Sequence, residues 1–269
     1  MKVRNKIIVV TGGGNGIGRE LILHLLAQGA RVAAADISEN GLKETEELAG
    51  ANKDKLSTHV VNMADRAAVE ALPEQVVARH GAVDGIINNA GIIQPFVRIK
   101  DLDYAAIERV MNVNFYGVLY MVKAFLPHLL KRPEAHIANV SSMGGFLPVP
   151  GQSVYGASKA AVKLMTEGLY AEMMGTSVRV TLVYPGAIGT NITANSGVSV
   201  PGQDRASGEQ KFKPLPPAKA AEIIVAGIEA DKYEVFVGRD SAFLNFFYRL
   251  SPKRAAEFIS KQMASLLSG

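Results

Sequence analysis

Apolar residues along the chain fall into two kinds of segment. Lys6–Thr11, Arg31–Asp36, Leu56–Asn62, Val83–Asn88, Ala135–Ser141, Ser177–Tyr184 and Tyr233–Gly238 are short, and several are near-continuous runs of Val, Ile and Ala. Such runs suit strands buried on both faces of a parallel sheet. Between them, Gly16–Gln28, Glu39–Leu48, Arg66–Arg79, Tyr104–Leu130, Tyr155–Met174 and Ala218–Ala230 mix apolar and polar positions with the spacing of amphipathic helices. Regular alternation of strand and helix predicts one α/β domain across residues 1–269, built on a doubly wound parallel sheet of about seven strands. The right-handed crossover rule places helices on both faces of that sheet.

Two segments depart from the alternation. Gly186–Pro217 has no period and is rich in Gly, Ser, Asn, Gln and Pro. It follows the sixth predicted strand at the carboxyl edge of the sheet, where folds of this class bind ligands, and is predicted to be a substrate loop. The second is a C-terminal extension, residues 239–269. Phe243, Leu244, Phe246, Phe247, Tyr248 and Leu250 crowd together there, Pro252 interrupts, and Arg254–Leu267 resumes a helical pattern. Arg239, Arg249, Lys253, Arg254 and Lys261 against Asp240 and Glu257 give this segment most of the chain's net charge of +4. Three roles are open to it: packing against the domain or across a subunit interface, a lid over the substrate site, and contact with a membrane surface. Order against the protein is the expectation and anchoring is not, because Glu257 and the polar residues near the end dilute the pattern.

Composition narrows the function. Outside the extension the chain is nearly neutral, so no nucleic-acid partner is expected. There is no cysteine, which excludes disulfides, a thiol nucleophile and zinc–thiolate sites. The five histidines show no metal-binding spacing, so no metal is expected. The basic start Met1–Lys6 leads into an apolar run too short for a signal peptide, and no run approaches the roughly eighteen apolar residues of a membrane span. A cytoplasmic location is expected.

The candidate chemistry lies at the carboxyl ends of the predicted strands. Thr11-Gly-Gly-Gly-Asn-Gly-Ile-Gly18 is a glycine-rich turn between a strand and a helix. Bare backbone there can approach a pyrophosphate, and the helix offers its first N–H groups to the anion; a tight turn with no ligand would use glycine too. Asp36 ends the second strand, where a carboxylate accepts hydrogen bonds from a ribose 2′-hydroxyl and repels a 2′-phosphate, so NAD is favoured over NADP. Arg19 is near in sequence, on the helix, where solvent can take its charge. Asn88-Asn-Ala-Gly91 closes the fourth strand. Tyr155 and Lys159 share a helix face one turn apart, Ser142 ends the fifth strand, and Asn114 lies in a long predicted helix. A phenol is a poor base, with an ordinary pKa of about 10. A neighbouring ammonium favours the phenolate and is expected to lower that value. A hydroxyl at Ser142 can hold a substrate carbonyl while the phenol exchanges its proton.

In this order these motifs resemble the short-chain dehydrogenase/reductase family, in its branch with subunits of about this length, over roughly Lys6 to Gly238. The resemblance implies a Rossmann-like sheet with strand order 3-2-1-4-5-6-7 and pairing of subunits through the two long helices, as a homodimer or homotetramer. It makes Tyr155 the acid/base group and has Ser142 orient the substrate oxygen. Lys159 would hold the nicotinamide ribose and depress the Tyr155 pKa, and Asn114 would position a water in a proton relay through Lys159. It assigns cofactor contacts to Gly12, Asn15, Gly16, Ile17 and Gly18, to Asp36, and to Asn62 and Met63 in place of the usual acidic residue at the third strand end. It adds Asn88, Ala90 and Gly91, Tyr155 and Lys159, and Pro185, Gly186, Ile188 and Thr190 in a P-G-x-x-x-T segment beside the nicotinamide amide. The leading expectation is an NAD-dependent oxidoreductase interconverting a secondary alcohol and a ketone. The alternatives are an NADPH-preferring carbonyl reductase and a non-catalytic nucleotide-binding regulator of the same fold. Phe96, Met143, Phe146, Leu147 and Val149 near the expected site hint at an apolar substrate.

Overall fold

The computed structural model describes residues 1–198 and 214–263. The predicted loop therefore lies partly, over 199–213, outside the described residues, as does the end of the extension, 264–269. Seven strands, β1 (Ile7–Thr11), β2 (Arg31–Asp36), β3 (Leu56–Val60), β4 (Gly85–Asn88), β5 (Ala135–Val140), β6 (Val178–Pro185) and β7 (Glu234–Val237), form one sheet in the order 3-2-1-4-5-6-7. Every pairing is parallel. β1 and β5 are buried at every position, as runs without alternation require.

Helices cover both faces. On one lie α1 (Gly16–Ala27), α2 (Glu39–Leu48) and α8 (Pro217–Glu229); their apolar positions meet Ile8, Val10, Val32, Ala34 and Val183 of the sheet. On the other lie α3 (Arg66–His80) and two long helical segments, whose Val76, Phe125 and Val162 meet Val9, Ala33, Ile86 and Ile137. Alternate residues of each strand serve opposite cores, which fixes strand register.

The predicted helix 104–130 is not uniform. It is α4 (Tyr104–Met111), a wide π turn over Asn112–Tyr116, and α5 (Gly117–Leu129). Period analysis does not register one extra residue in a turn, because the apolar face resumes on the far side. α6 (Ser153–Glu172) begins two residues earlier than its apolar pattern. After β6 comes one short turn of helix, α7 (Ile192–Asn195). The extension forms α9 (Arg239–Leu250) and α10 (Pro252–Gln262), with Pro252 in the first turn of the second helix, where it lacks no needed donor. Both pack through Leu147, Ala255 and Ile259 against the turn that follows β5.

Candidate active site

The carboxyl ends of β1, β4, β5 and β6 meet over one patch. At β1, Gly12 has a φ of +71°, and an added Cβ would press on Ala90 at 3.0 Å. A Cβ on Gly18 would collide with the Gly12 carbonyl, so helix α1 can start here only without side chains. Thr11, which sequence reasoning did not single out, ties β1 to β4: its hydroxyl accepts the N–H groups of Asn89 and Ala90, each at 3.0 Å.

Asp36 sits beside this turn. Its carboxylate accepts the N–H of Gly14 at 2.8 Å and of Ser38 at 2.9 Å. It does not cap α2; Ser38 does, accepting from Gly41 at 3.1 Å. Arg19 does not face solvent. Its guanidinium folds inward onto the Gly14 carbonyl and Thr45 and pairs with Glu44 at 2.6 Å. Asn62 is exposed and turns its carbonyl to the N–H of Ala64, whereas Met63 is buried against Gly117. Asn88 gives its amide to Asn139 at 2.8 Å, the first link of a buried chain that continues to Thr166 on α6. Asn15 accepts from Asn195 at 2.9 Å, and Thr190 lies against Gly16, so the segment after β6 rests on the glycine turn. Beyond Pro185, Gly186 donates to Val237, and Ile188 bridges to Leu215. The side chain of Ile17 is partly buried against the core under α1.

Ser142, Tyr155, Lys159 and Asn114 converge. The Tyr155 ring and the Ser142 hydroxyl both border Gly144, 3.3 and 3.5 Å from where its Cβ would stand. Ser142 Oγ also accepts the Gly144 N–H at 3.0 Å, which aims the hydroxyl. Lys159 Nζ and Asn114 Oδ1 meet across Gly91, 3.1 and 3.3 Å from the same construction. Asn114 lies in the π turn and is fully buried; its amide accepts from Ile92 N–H and donates to the Ile92 carbonyl and to Ser158. Wide turns inside helices often mark functional positions.

The electrostatics differ from expectation. Burial pushes the Tyr155 phenol above its ordinary value, and the hydrogen bond with Ser142 works against that rise. Lys159 is buried and donates to the Val140 carbonyl at 3.0 Å. Burial brings its ammonium down to about 8. The lowering of the phenol expected from Lys159 is thus not present in this structure; loss of solvent dominates at both groups. Of the apolar residues expected to line a pocket, Leu147 is fully buried under the extension, and Phe146 packs on Tyr184 and Tyr248. Phe96, Met143 and Val149 are half-buried near the site.

Sequence reasoning missed Gln94. It lies beyond Gly91, is fully buried, and spans to the start of α6. Its carbonyl oxygen accepts the N–H groups of Val154 at 2.8 Å and Tyr155 at 3.0 Å, while its amide nitrogen donates to Gly151 at 2.9 Å. A lone glutamine in a loop carries no periodic or motif signal.

The doubly wound parallel sheet thus carries these four side chains and a glycine turn at the carboxyl ends of its strands. The profile of the short chain dehydrogenase family matches residues 6–199, and the chain belongs to that family. A Mycobacterium tuberculosis protein, SadH, named as an oxidoreductase, is 37% identical over 251 residues, covering 91% of this chain and 90% of its own. Two solved structures, each 25% identical with a TM-score of 0.79, carry different cofactors. One is a Burkholderia cenocepacia short chain dehydrogenase in complex with NADP, covered over 96% of this chain and 99% of its own. The other is a Brucella melitensis 3-ketoacyl-(acyl-carrier-protein) reductase complexed with NADH, covered over 89% and 99%.

Proposed function

We propose that the protein is a single-domain, NAD-dependent oxidoreductase interconverting a secondary alcohol and a ketone. The observation that carries this is the meeting of Ser142 and Tyr155 at Gly144 and of Lys159 and Asn114 at Gly91, beside a glycine turn that a Cβ would fill. The turn fits a dinucleotide: bare backbone at Gly12 and Gly18 lets β1 and the start of α1 pack close together, so that a pyrophosphate beside Gly16 would meet the first N–H groups of the helix. Asp36 would take the ribose hydroxyls, and the remaining contacts fall to Asn15, Ile17, Asn62, Met63, Asn88, Ala90, Pro185, Gly186, Ile188 and Thr190. Such a cofactor supplies or accepts the hydride.

The chain's own residues handle the oxygen and its proton. Ser142, its hydroxyl aimed by Gly144, donates to the substrate oxygen. The Tyr155 phenol exchanges its proton with that oxygen. Burial keeps the phenol protonated near neutral pH, which suits donation to a forming alkoxide. Lys159 would take the nicotinamide ribose and, so placed, draw the phenol down for the reverse direction. Asn114 would hold a water between Lys159 and solvent. Residues 186–217 and the extension would shape the substrate side, with Met143 and Val149 favouring an apolar substrate. Pairing of copies through the two long helical segments, about 104–130 and 155–174, is part of this reading, and the exposure of Tyr104, Leu164 and Met174 along those segments supports it.

Tyr155→Phe tests it. The variant keeps the volume and removes the exchangeable proton, so kcat on a panel of secondary alcohols and ketones should fall at least about a hundredfold while NAD binding persists. Turnover near that of the unaltered protein would remove Tyr155 from the role. No turnover by the unaltered protein on a broad panel would favour a nucleotide-binding regulator.

A further inference from the structure

Helix α9 presents an outward face that none of the described residues covers. Phe243, Phe246 and Leu250 are 62%, 62% and 68% exposed, and their spacing of three and four residues sets them on one side of the helix. Arg239 and Arg249 are exposed and lie one turn from Phe243 and Phe246, so they edge the same side; Arg249 stands 3.6 Å from Glu234 of β7 and still keeps 63% of its side chain in solvent, while the helix itself adds no exposed carboxylate there. The apolar surface continues onto α10. Phe243 stacks on Phe247 with ring centres 6.3 Å apart, and Phe247 meets Phe258 edge to face at 6.0 Å. Phe258 is 42% exposed. Arg254 and Lys261, four residues before and three after it, are exposed on its flank.

The face is rigid. Ser241 donates to the Tyr184 carbonyl at 2.8 Å, and Asp240 accepts the N–H of Ala187 at 2.7 Å, pinning the start of α9 to the segment after β6. Leu147, next to the turn that bears Ser142, is buried under the same helices. The exposed aromatics are therefore held in place beside the substrate side of the site.

The sequence favours packing of this extension over membrane contact; the exposed face departs from that expectation, and from it we infer that α9 and α10 dock the protein on an anionic lipid surface, with Phe243, Phe246, Leu250 and Phe258 entering the headgroup layer and Arg239, Arg249, Arg254 and Lys261 meeting lipid phosphates. A rigid helix pair with aromatics on one side and cations around them is the arrangement that lies in such an interface. The charge pattern decides against a second copy as the occupant. In a two-fold contact the patch meets itself, so the rim cations of one copy would face those of the other. The exposed carboxylate of the two helices, Glu257, is already near Lys253 at 4.0 Å. The inference does not depend on the hydride-transfer reading, and its test does not involve turnover.

Full-length protein is mixed with phosphatidylcholine vesicles containing phosphatidylglycerol, or with phosphatidylcholine alone, and sedimented. Binding is expected to the anionic vesicles, weakening as salt rises. Changing Phe243, Phe246 and Leu250 to Ser should lower it at least about tenfold. Arg249→Glu with Arg254→Glu should lower it at least about 25-fold, at roughly fivefold per charge near the surface. Circular dichroism of both variants should match that of the unaltered protein, since all five side chains are exposed. The inference fails if anionic and neutral vesicles sediment the protein equally, or if neither does. It fails in favour of a self-interface if the serine variant shifts the oligomeric state by analytical ultracentrifugation and the unaltered protein ignores vesicles.

Discussion

The position of Tyr155 depends on a residue that takes no part in the chemistry. Gln94 accepts two N–H groups in the first turn of α6 and holds the Gly151 carbonyl, so the helix bearing the phenol is fastened to the loop bearing Gly91. Gln94→Leu leaves two buried donors and one acceptor unmatched, each worth about 1–3 kcal/mol. It also frees the helix start, and a displacement of about 1 Å at a reacting group can lower rate about a hundredfold. We expect Gln94→Leu to lower kcat at least about tenfold with little change in cofactor KM. Gln94→Glu keeps the acceptor at a helix N-terminus, which favours negative charge, but loses the donor to the Gly151 carbonyl, and should recover only part of the loss. If both variants lose thermal stability but keep kcat, Gln94 is a structural staple and no more. Asp36 makes a second residue-scale case. Its carboxylate steadies Gly14, and the nearby Arg19 is committed to Glu44, so a 2′-phosphate would meet a carboxylate with its cation already engaged. Asp36→Ala should raise KM for NAD about tenfold or more, the worth of a hydrogen bond to a charged group, and narrow the preference over NADP. Steady-state kinetics with both cofactors decide this, and an unaltered protein that prefers NADP would refute the reasoning from Asp36.

At the scale of elements, periodicity located all seven strands and most of the helices, because a buried parallel strand and an amphipathic helix leave distinct patterns. β2 and α2 begin and end where the pattern does. What the pattern could not register was departure from ideal geometry. The π turn around Asn114 interrupts 104–130 without disturbing the apolar face, and α6 begins at Ser153, ahead of its apolar stripe, because Gln94 accepts the N–H groups of its first turn. The four residues expected to do chemistry are also brought together, since each belongs to a motif with fixed order. Gln94, Thr11 and Ser158 act through hydrogen bonds between segments distant in sequence, and nothing local marks such partners. The extension illustrates the same limit. Its crowding of aromatics was legible; which of them turn inward was not. Leu244, Phe247 and Tyr248 pack over Leu147, while Phe243 and Phe246 face outward, a division set by the position of the turn after β5.

For the whole molecule, two histidines buried away from the site set the response to acid. Burial pushes His136, in β5, down to about 3, and pushes His80, at the end of α3, down to about 4. Both lie below an ordinary value of about 6.5, so above that pH neither state binds a proton at these positions and neither group affects stability. As pH falls below 6.5, the unfolded chain takes up protons that the folded chain refuses until about pH 4 at His80 and about pH 3 at His136. The unfolded state then binds more protons, and stability is lost at about 1.4 kcal/mol per pH unit for each histidine. His80 leaves Nδ1 buried without a hydrogen bond, and His136 Nδ1 stands 3.5 Å from Asp231, whose charge offsets only part of the lost solvent. Urea midpoints should fall steeply between pH 6.5 and 4. His136→Gln, which can keep a hydrogen bond to Thr181 but cannot titrate, should be less stable at pH 7 yet show a shallower fall with acid than the unaltered protein. Equal slopes in the two proteins would show that acid acts elsewhere. On the alkaline side Lys159 acts with the same sign in a different window: its value of about 8 lies below that of a free lysine, so the unfolded chain holds the proton longer and the folded state gains stability between about pH 8 and 10 as its buried charge is discharged. Lys159→Met should abolish that gain while leaving the acid limb unchanged, which separates the site's contribution to the pH profile from that of the two histidines.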